Sequence, residues 1–468
     1  MASRPGDDEL PPDPFPGDPF ARPDGPAAKD ADDAGASDQS SQPSQSSSPT
    51  SPMSGMSGMS GMFAQFAQAA AAQGTFNADI ARHLAVWTAA GGAVEPNLEP
   101  LVRIQVEQAG ASVGPLVEEL TGLLLHQPGE KLIVTAATKA EWAADSLTAW
   151  RPFFNGFATG VGAMFDGTGL LDSGDDHGDG DDMPEELRAL GLGALPGGLS
   201  GLAKMMGPTL AGMQAGTLLG QLGMSALGTY DLLVPRVAGS RLLVVASNVT
   251  AFSEAWTLPP DHALTQIVTR DLLTHAILRQ PHVGPVLSAL INRHASAGRV
   301  DPSGIGEIGI AGLGGGLGGL LGGAGGMGGG IGGGFGAPSP DAFLAGEPTP
   351  EQQDLRRQIR RMTIPLVAAI DYLASAIGAR LLGDNRQVAE ALRRRHLDRD
   401  PGTRLAEHLL GVGVDQTGLD AGRVFVGGVV QRAGTDGLIA LFAEPDRFPT
   451  DAELVAPGLW LARIGLAD

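Results

Sequence analysis

Few residues in this chain are spaced as chemistry requires. Cysteine is absent, which removes disulfides, thiol nucleophiles and thiolate metal sites. Nine histidines are present, but no two are spaced HxxxH and no HExxH occurs, so no zinc helix announces itself. GxSxG and P-loop motifs are missing, and no Ser-x-x-Lys stands in a catalytic context. SALGTYDL and SNVTAF contain hydroxyls, but nothing in the sequence marks them as activated. His83 and His126 stand singly among apolar residues and read as packing or surface positions.

One loop looks like a cation site at first sight. DSGDDHGDGDDMPEE, residues 172–186, sets Asp175, His177, Asp179, Gly180 and Asp181 at the spacing of a calcium loop, with Glu186 as the bidentate carboxylate. His177 then replaces an oxygen ligand. Asp182 sits where an apolar residue normally enters the core. The segment therefore reads as a poorly ordered acidic loop. The GxGxxG matches in residues 301–347 carry no weight, because near-pure glycine produces them by chance and no strand precedes them.

The elements that must position any site are mostly helices. The stretches that begin at Asn77, Pro96, Thr138, Pro259 and Thr349 place apolar residues at helical spacing. Asn77 or Thr75 caps the first of them. Asp261 caps the helix 261–280, which Pro281 ends or kinks. Trp142 and Trp150 fall on or near a buried face. GLSGLAKMMGPTLAGMQAGTLLGQLGMS is rich in small residues and reads as a closely packed core helix; Lys204, Gln214 and Gln221 argue against a membrane. The run LLVVA is short and β-branched, and is the one strand expected. The expected organisation is a disordered Pro/Ser/Asp/Met-Gly tail over 1–61 and an N-terminal helical part over 62–171. The acidic loop (172–186), a core over 187–300, a flexible Gly-rich loop over 301–347 and a C-terminal helical part over 348–468 follow.

With 43% hydrophobic and 18% charged residues the chain can build a core, and its Gly 70 and Pro 34 concentrate in the tail and loops. A formal net charge of −21 opposes binding to nucleic-acid phosphates and anionic membranes, and serves solubility. Basic clusters at Arg356, Arg357, Arg360, Arg361 and Arg393–Arg395 read as solvated helix faces. The N-terminus lacks a basic region and an apolar run, so a cytoplasmic location is expected.

The segment GQLGMSALGTYDLLVP, then RLLVVASNVTAFSEAWTLPPD, then LTQIVTRDLLTHAILRQPHVGPVL, resembles an actinobacterial family of zinc-dependent metalloproteases and hydrolases with a zincin-like fold. The resemblance runs from about residue 75 to the C-terminus and is strongest between Met213 and Val283. It implies a mainly α, zincin-like domain with at most a small β element. In such a fold an HExxH helix supplies two zinc histidines and a glutamate base. Matched without a gap, those positions read Arg270, Asp271, Leu272, Leu273 and Thr274. Asp271 stands where the base would be. Arg270 cannot ligate zinc, and Thr274 is a poor ligand.

Shifted by one residue, Asp271 and His275 are an i, i+4 pair on one face, with Asp371 in VAAIDYLAS as a third ligand for zinc. Leu272 then takes the place of the base, which removes the catalytic step. The expectation is a non-catalytic binding protein without a cofactor. Arg270 and Asp271 would line the former cleft, and the guanidinium would suit a peptide or protein carboxylate. An active hydrolase with non-standard ligands and a scaffolding protein remain as alternatives. What separates the readings is whether Arg270 and Asp271 line a pocket or pair with each other.

Overall fold

The computed structural model describes residues 76–167, 198–236, 241–297 and 348–466. The tail, the acidic loop and the Gly-rich loop read from the sequence lie outside these residues. Among them are thirteen α-helices and one pair of strands. In chain order they are α1 (Ala78–Ala89), α2 (Pro100–Thr121), β1 (Ile133–Ala137), α3 (Lys139–Gly167), α4 (Gly198–Ser225), β2 (Arg241–Val245), α5 (Ala246–Ala255), α6 (Pro260–Leu278), α7 (Gly284–Ser296), α8 (Pro350–Leu382), α9 (Arg386–Leu397), α10 (Pro401–Leu410), α11 (Gln416–Ile439), α12 (Asp451–Val455) and α13 (Pro457–Arg463). The expectation of a mainly helical chain with a small β element holds.

Local chemistry explains the helix starts. Asn77 caps α1 by accepting from the Ile80 amide at 3.1 Å. Thr349 and Gln352 close a reciprocal capping box on α8. The expected cap of α6 is corrected: Pro259 is its N-cap and Asp261 lies inside the first turn, where its charge suits the helix dipole. The expectation of a single strand is also corrected. β1 pairs in parallel with β2, Ile133 opposite Arg241 through Ala137 opposite Val245. At the C-terminus, α11 is broken by a kink at Gly434, whose φ of 65° is non-helical, and the short α12 and α13 follow.

Small residues bring α4 onto α1. Gly212, Gly216, Gly220 and Gly223 form a seam whose missing side chains leave room for Asn77, Ala81, Thr88 and Ala89. The seam fits the reading of this segment as a closely packed core helix. Trp142 and Trp150 are buried at 1% exposure each and meet edge to face. Arg236 lies over both rings and ion-pairs with Asp145 at 2.9 Å. By length and composition α8 could cross a membrane, but 72% of its most apolar window is buried within the fold, as in a core helix.

Of the basic clusters, Arg357, Arg360 and Arg361 pair with Asp354, Asp415 and Asp451 at the surface. Arg395 departs from the solvated-face reading. It turns inward and bonds Asp231 through both terminal nitrogens, at 3.0 and 2.8 Å, as well as the Ser225 carbonyl. His83 and His126 are exposed and each bonds a nearby carbonyl.

Candidate functional site

The residues singled out in the sequence lie on α6, which runs through the core with most of its side chains buried. Its helical period divides them. Asp271 and His275 lie one turn apart on a buried face, at 4% and 3% exposure. Arg270 points elsewhere, to a partly open edge shared with α8, where it pairs with Asp371. Arg270 and Asp271 thus neither pair with each other nor jointly line a pocket. A surface cavity of about 510 Å³ between the α5–α6 turn and Gln387 contains none of these residues.

The face carrying Asp271 and His275 is closed by the segment between α4 and β2. Asp271 Oδ2 accepts the Thr229 amide at 2.7 Å, and Oδ1 accepts the Tyr230 amide at 3.0 Å. That approach requires a residue without a side chain at Gly228, because a Cβ there would lie 2.8 Å from the Asp271 carboxyl carbon. The Gly228 carbonyl accepts from the Trp142 indole at 2.7 Å, and Thr229 Oγ1 accepts from the Leu243 amide of β2 at 2.6 Å. Tyr230 also reaches the second member of the pair, its hydroxyl lying 3.1 Å from His275 Nδ1. His275 Nε2 faces the Leu125 carbonyl at 3.2 Å. A carbonyl can only accept, so Nε2 carries the proton and Nδ1 accepts from Tyr230. Nothing in the sequence assigns SALGTYDL a partner. That segment supplies all three donors that hold Asp271 and His275.

Burial sets the electrostatics. It pushes Asp271 up to about 7, against the two amides that favour the carboxylate. It pushes His275 down to about 4, helped by the nearby Arg279 cation, so the imidazole is neutral in the folded protein. The unfolded chain binds a proton at His275 below about 6.5, which the folded chain refuses until about 4. This residue therefore removes stability as pH falls through that window. His275→Gln keeps a donor for Leu125 and an acceptor for Tyr230 without a titrating ring. Relative to the parent, it should gain about 1.4 kcal/mol for each pH unit lowered between those limits. Urea unfolding at a series of pH values measures the difference; a constant offset would mean that His275 is not the titrating group.

A family model described as Zincin-like metallopeptidase matches residues 76–461. The chain belongs to the zincin-like metallopeptidase family. Among solved structures, this family member is similar to a protein from Chloroflexus aurantiacus described as a candidate hydrolase with a novel fold. The match has a TM-score of 0.53 at 17% identity and covers 84% of this chain and 100% of the other, so what it shows is a shared fold. No curated protein matches the chain.

A zincin-like metallopeptidase implies zinc, which needs lone pairs converging on one point. In this zincin-like chain Asp271 gives its oxygens to two amides, His275 uses both ring nitrogens, and Asp371 faces Arg270. Among the described residues no three His, Cys, Asp or Glu side chains gather as a metal would require. The positions that the sequence offered as ligands, Asp271, His275 and Asp371, do not fit a zinc ion.

Proposed function

We propose that this chain is a non-catalytic member of the zincin-like family, which binds a partner and does not hydrolyse it. The observation that carries this reading is the closed hydrogen bonding of Asp271 and His275. Both side chains are buried and hydrogen-bonded within the fold, which keeps the atoms that could ligate a metal or activate water beyond the reach of a substrate. The non-histidine residues at the HExxH positions, Arg270 and Thr274 among them, support the same reading.

Binding then falls to the open side of α6. Arg270 and Asp371 are partly exposed, at 30% and 36%, and the guanidinium already holds one carboxylate. A peptide or protein carboxylate would bind by taking the place of Asp371. The cost of that exchange is small, because exposed ion pairs contribute only about 0–1 kcal/mol.

Two measurements test the proposal. Elemental mass spectrometry on untagged full-length protein, incubated with zinc and dialysed, should find no stoichiometric metal. Near-stoichiometric zinc, with peptide hydrolysis abolished by His275→Gln, would overturn the reading. Titration with peptides ending in a free or an amidated carboxyl group tests the binding face. Asp371→Asn should tighten binding of the free acid about tenfold, and Arg270→Ala should abolish the distinction. Equal binding of both peptides by all three proteins would exclude Arg270 as the receptor.

A further inference from the structure

Among the described residues Thr257 is the one residue other than glycine with a positive φ, 52°. It follows the end of α5, whose last carbonyls are closed from beyond the helix. The Thr257 amide donates to the Glu254 carbonyl at 3.1 Å, and the Leu258 amide to the Ser253 carbonyl at 2.8 Å. This pair of bonds needs a left-handed residue at the position of Thr257. Glycine takes that conformation freely, whereas a β-branched residue is strained in it. Nothing in the helix ending uses the threonine side chain. Strain retained where glycine would serve points to a task for that side chain.

Thr257 stands in the wall of the surface cavity of about 510 Å³. Glu254 lines the same cavity from the last turn of α5, and Gln387 from the first turn of α9. Leu258, Pro259 and Pro260 supply an apolar shelf. Glu254, Thr257 and Gln387 are exposed, and among the described residues their side chains have no hydrogen-bond or ion-pair partner. The carboxylates nearby in α9 and at its start differ: Asp384 pairs with Arg386, and Glu390 with Arg393 and Arg394. Asp384 also accepts the Arg386 amide at 3.1 Å, so the start of α9 already has its anion. The cavity therefore presents free acceptors, one of them charged, beside an apolar surface. The chain's net charge of −21 adds to the attraction for a cation.

We propose that this cavity binds an arginine side chain presented by a basic protein segment. The guanidinium fork donates to the Glu254 carboxylate, and its remaining N–H groups donate to the Thr257 hydroxyl and the Gln387 amide oxygen. The methylene stem lies on the two prolines and Leu258. A lysine ammonium carries three donors on a strongly hydrated point charge and satisfies the three acceptors less well. The site is separate from the Arg270 edge and opposite to it in charge, so the two binding faces succeed or fail independently.

The test is isothermal titration of the full-length protein, at low fixed ionic strength, with a blocked Ala-Arg-Ala peptide and its citrulline and lysine counterparts. Saturable binding of the arginine peptide at one site is expected, with the neutral citrulline peptide about tenfold weaker and the lysine peptide weaker as well. Glu254→Gln alters an exposed group and should keep the fold by circular dichroism while weakening binding about tenfold. Thr257→Gly separates the site from the fold. It relieves the strained backbone and should unfold at the same or a higher temperature, yet bind about fivefold more weakly. Glu444→Gln, at a carboxylate paired with Arg447, should leave binding unchanged. Absence of saturable binding, equal affinity for the citrulline or lysine peptide, or full affinity in Glu254→Gln or Thr257→Gly would overturn the proposal.

Discussion

Gly228→Ala is expected to destabilise the protein by about 4 kcal/mol, an effect far above that of an ordinary loop substitution. The added methyl group meets the Asp271 carboxylate, and neither partner can yield. Asp271 is fixed by the amides of Thr229 and Tyr230, and the Gly228 carbonyl by the Trp142 indole. Relief requires breaking the amide bonds or moving the segment away from Trp142. The first leaves buried donors unpaired around a buried carboxyl group, and the second leaves the indole without an acceptor. Against a total stability of roughly 5–15 kcal/mol this is a large share. Urea unfolding followed by tryptophan fluorescence would measure it, and a loss below about 1 kcal/mol would mean that the segment shifts freely.

The second large effect is one of sign. Gly to Ala within a helix ordinarily stabilises by up to about 1 kcal/mol, because glycine loses more backbone freedom on folding. Gly216→Ala in α4 should instead destabilise by about 2–3 kcal/mol. Its new Cβ would lie 2.5 Å from the Ala81 carbonyl and 2.8 Å from Leu84 Cβ, and the first of these is backbone that cannot rotate aside. Helix α1 would have to move as a unit. Gly427 in α11 supplies the contrast, since a Cβ there meets nothing within 4 Å. Gly427→Ala should gain about 0.5–1 kcal/mol. Thermal unfolding of the two variants should shift in opposite directions; a rise in Tm for Gly216→Ala would remove the seam from the account of how α1 and α4 pack.

The helices were legible in the sequence because their signals are local. Apolar spacing, the Asn77 cap and the Thr349 capping box act within a few residues, and α4 carries its glycines at intervals that bring them to one face. β1 was not legible. Its five residues show no polar–apolar alternation, and its one partner among the described residues arrives after α3 and α4. At the site, helical periodicity put Asp271 and His275 on one face, but Arg270, expected to line the cleft with Asp271, points to a different edge. What the pair touches could not be read, because Thr229, Tyr230 and the Leu125 carbonyl lie outside any regular element and reach α6 only through tertiary packing. Asp371 reads in the sequence as a third zinc ligand beside Asp271 and His275, and the structure pairs it with Arg270 instead. Whether it would face a metal or the guanidinium depended on the crossing of α6 and α8, which spacing within one helix does not encode.

The pairing of β1 with β2 bears on the order in which the chain folds. Its two strands are separated in sequence by α3 and α4, so the ribbon cannot close as a hairpin does. Closing so long a loop loses conformational entropy before any strand bond repays it, whereas each helix forms from neighbours within a few residues. The docking of α3 and α4 shortens that search by bringing the strands within reach. The ribbon is then a late event, and the segment bridging Gly228 to Val244 is committed with it. The hydrogen bonds around Asp271 and His275 are therefore expected to form late, when the topology is nearly complete.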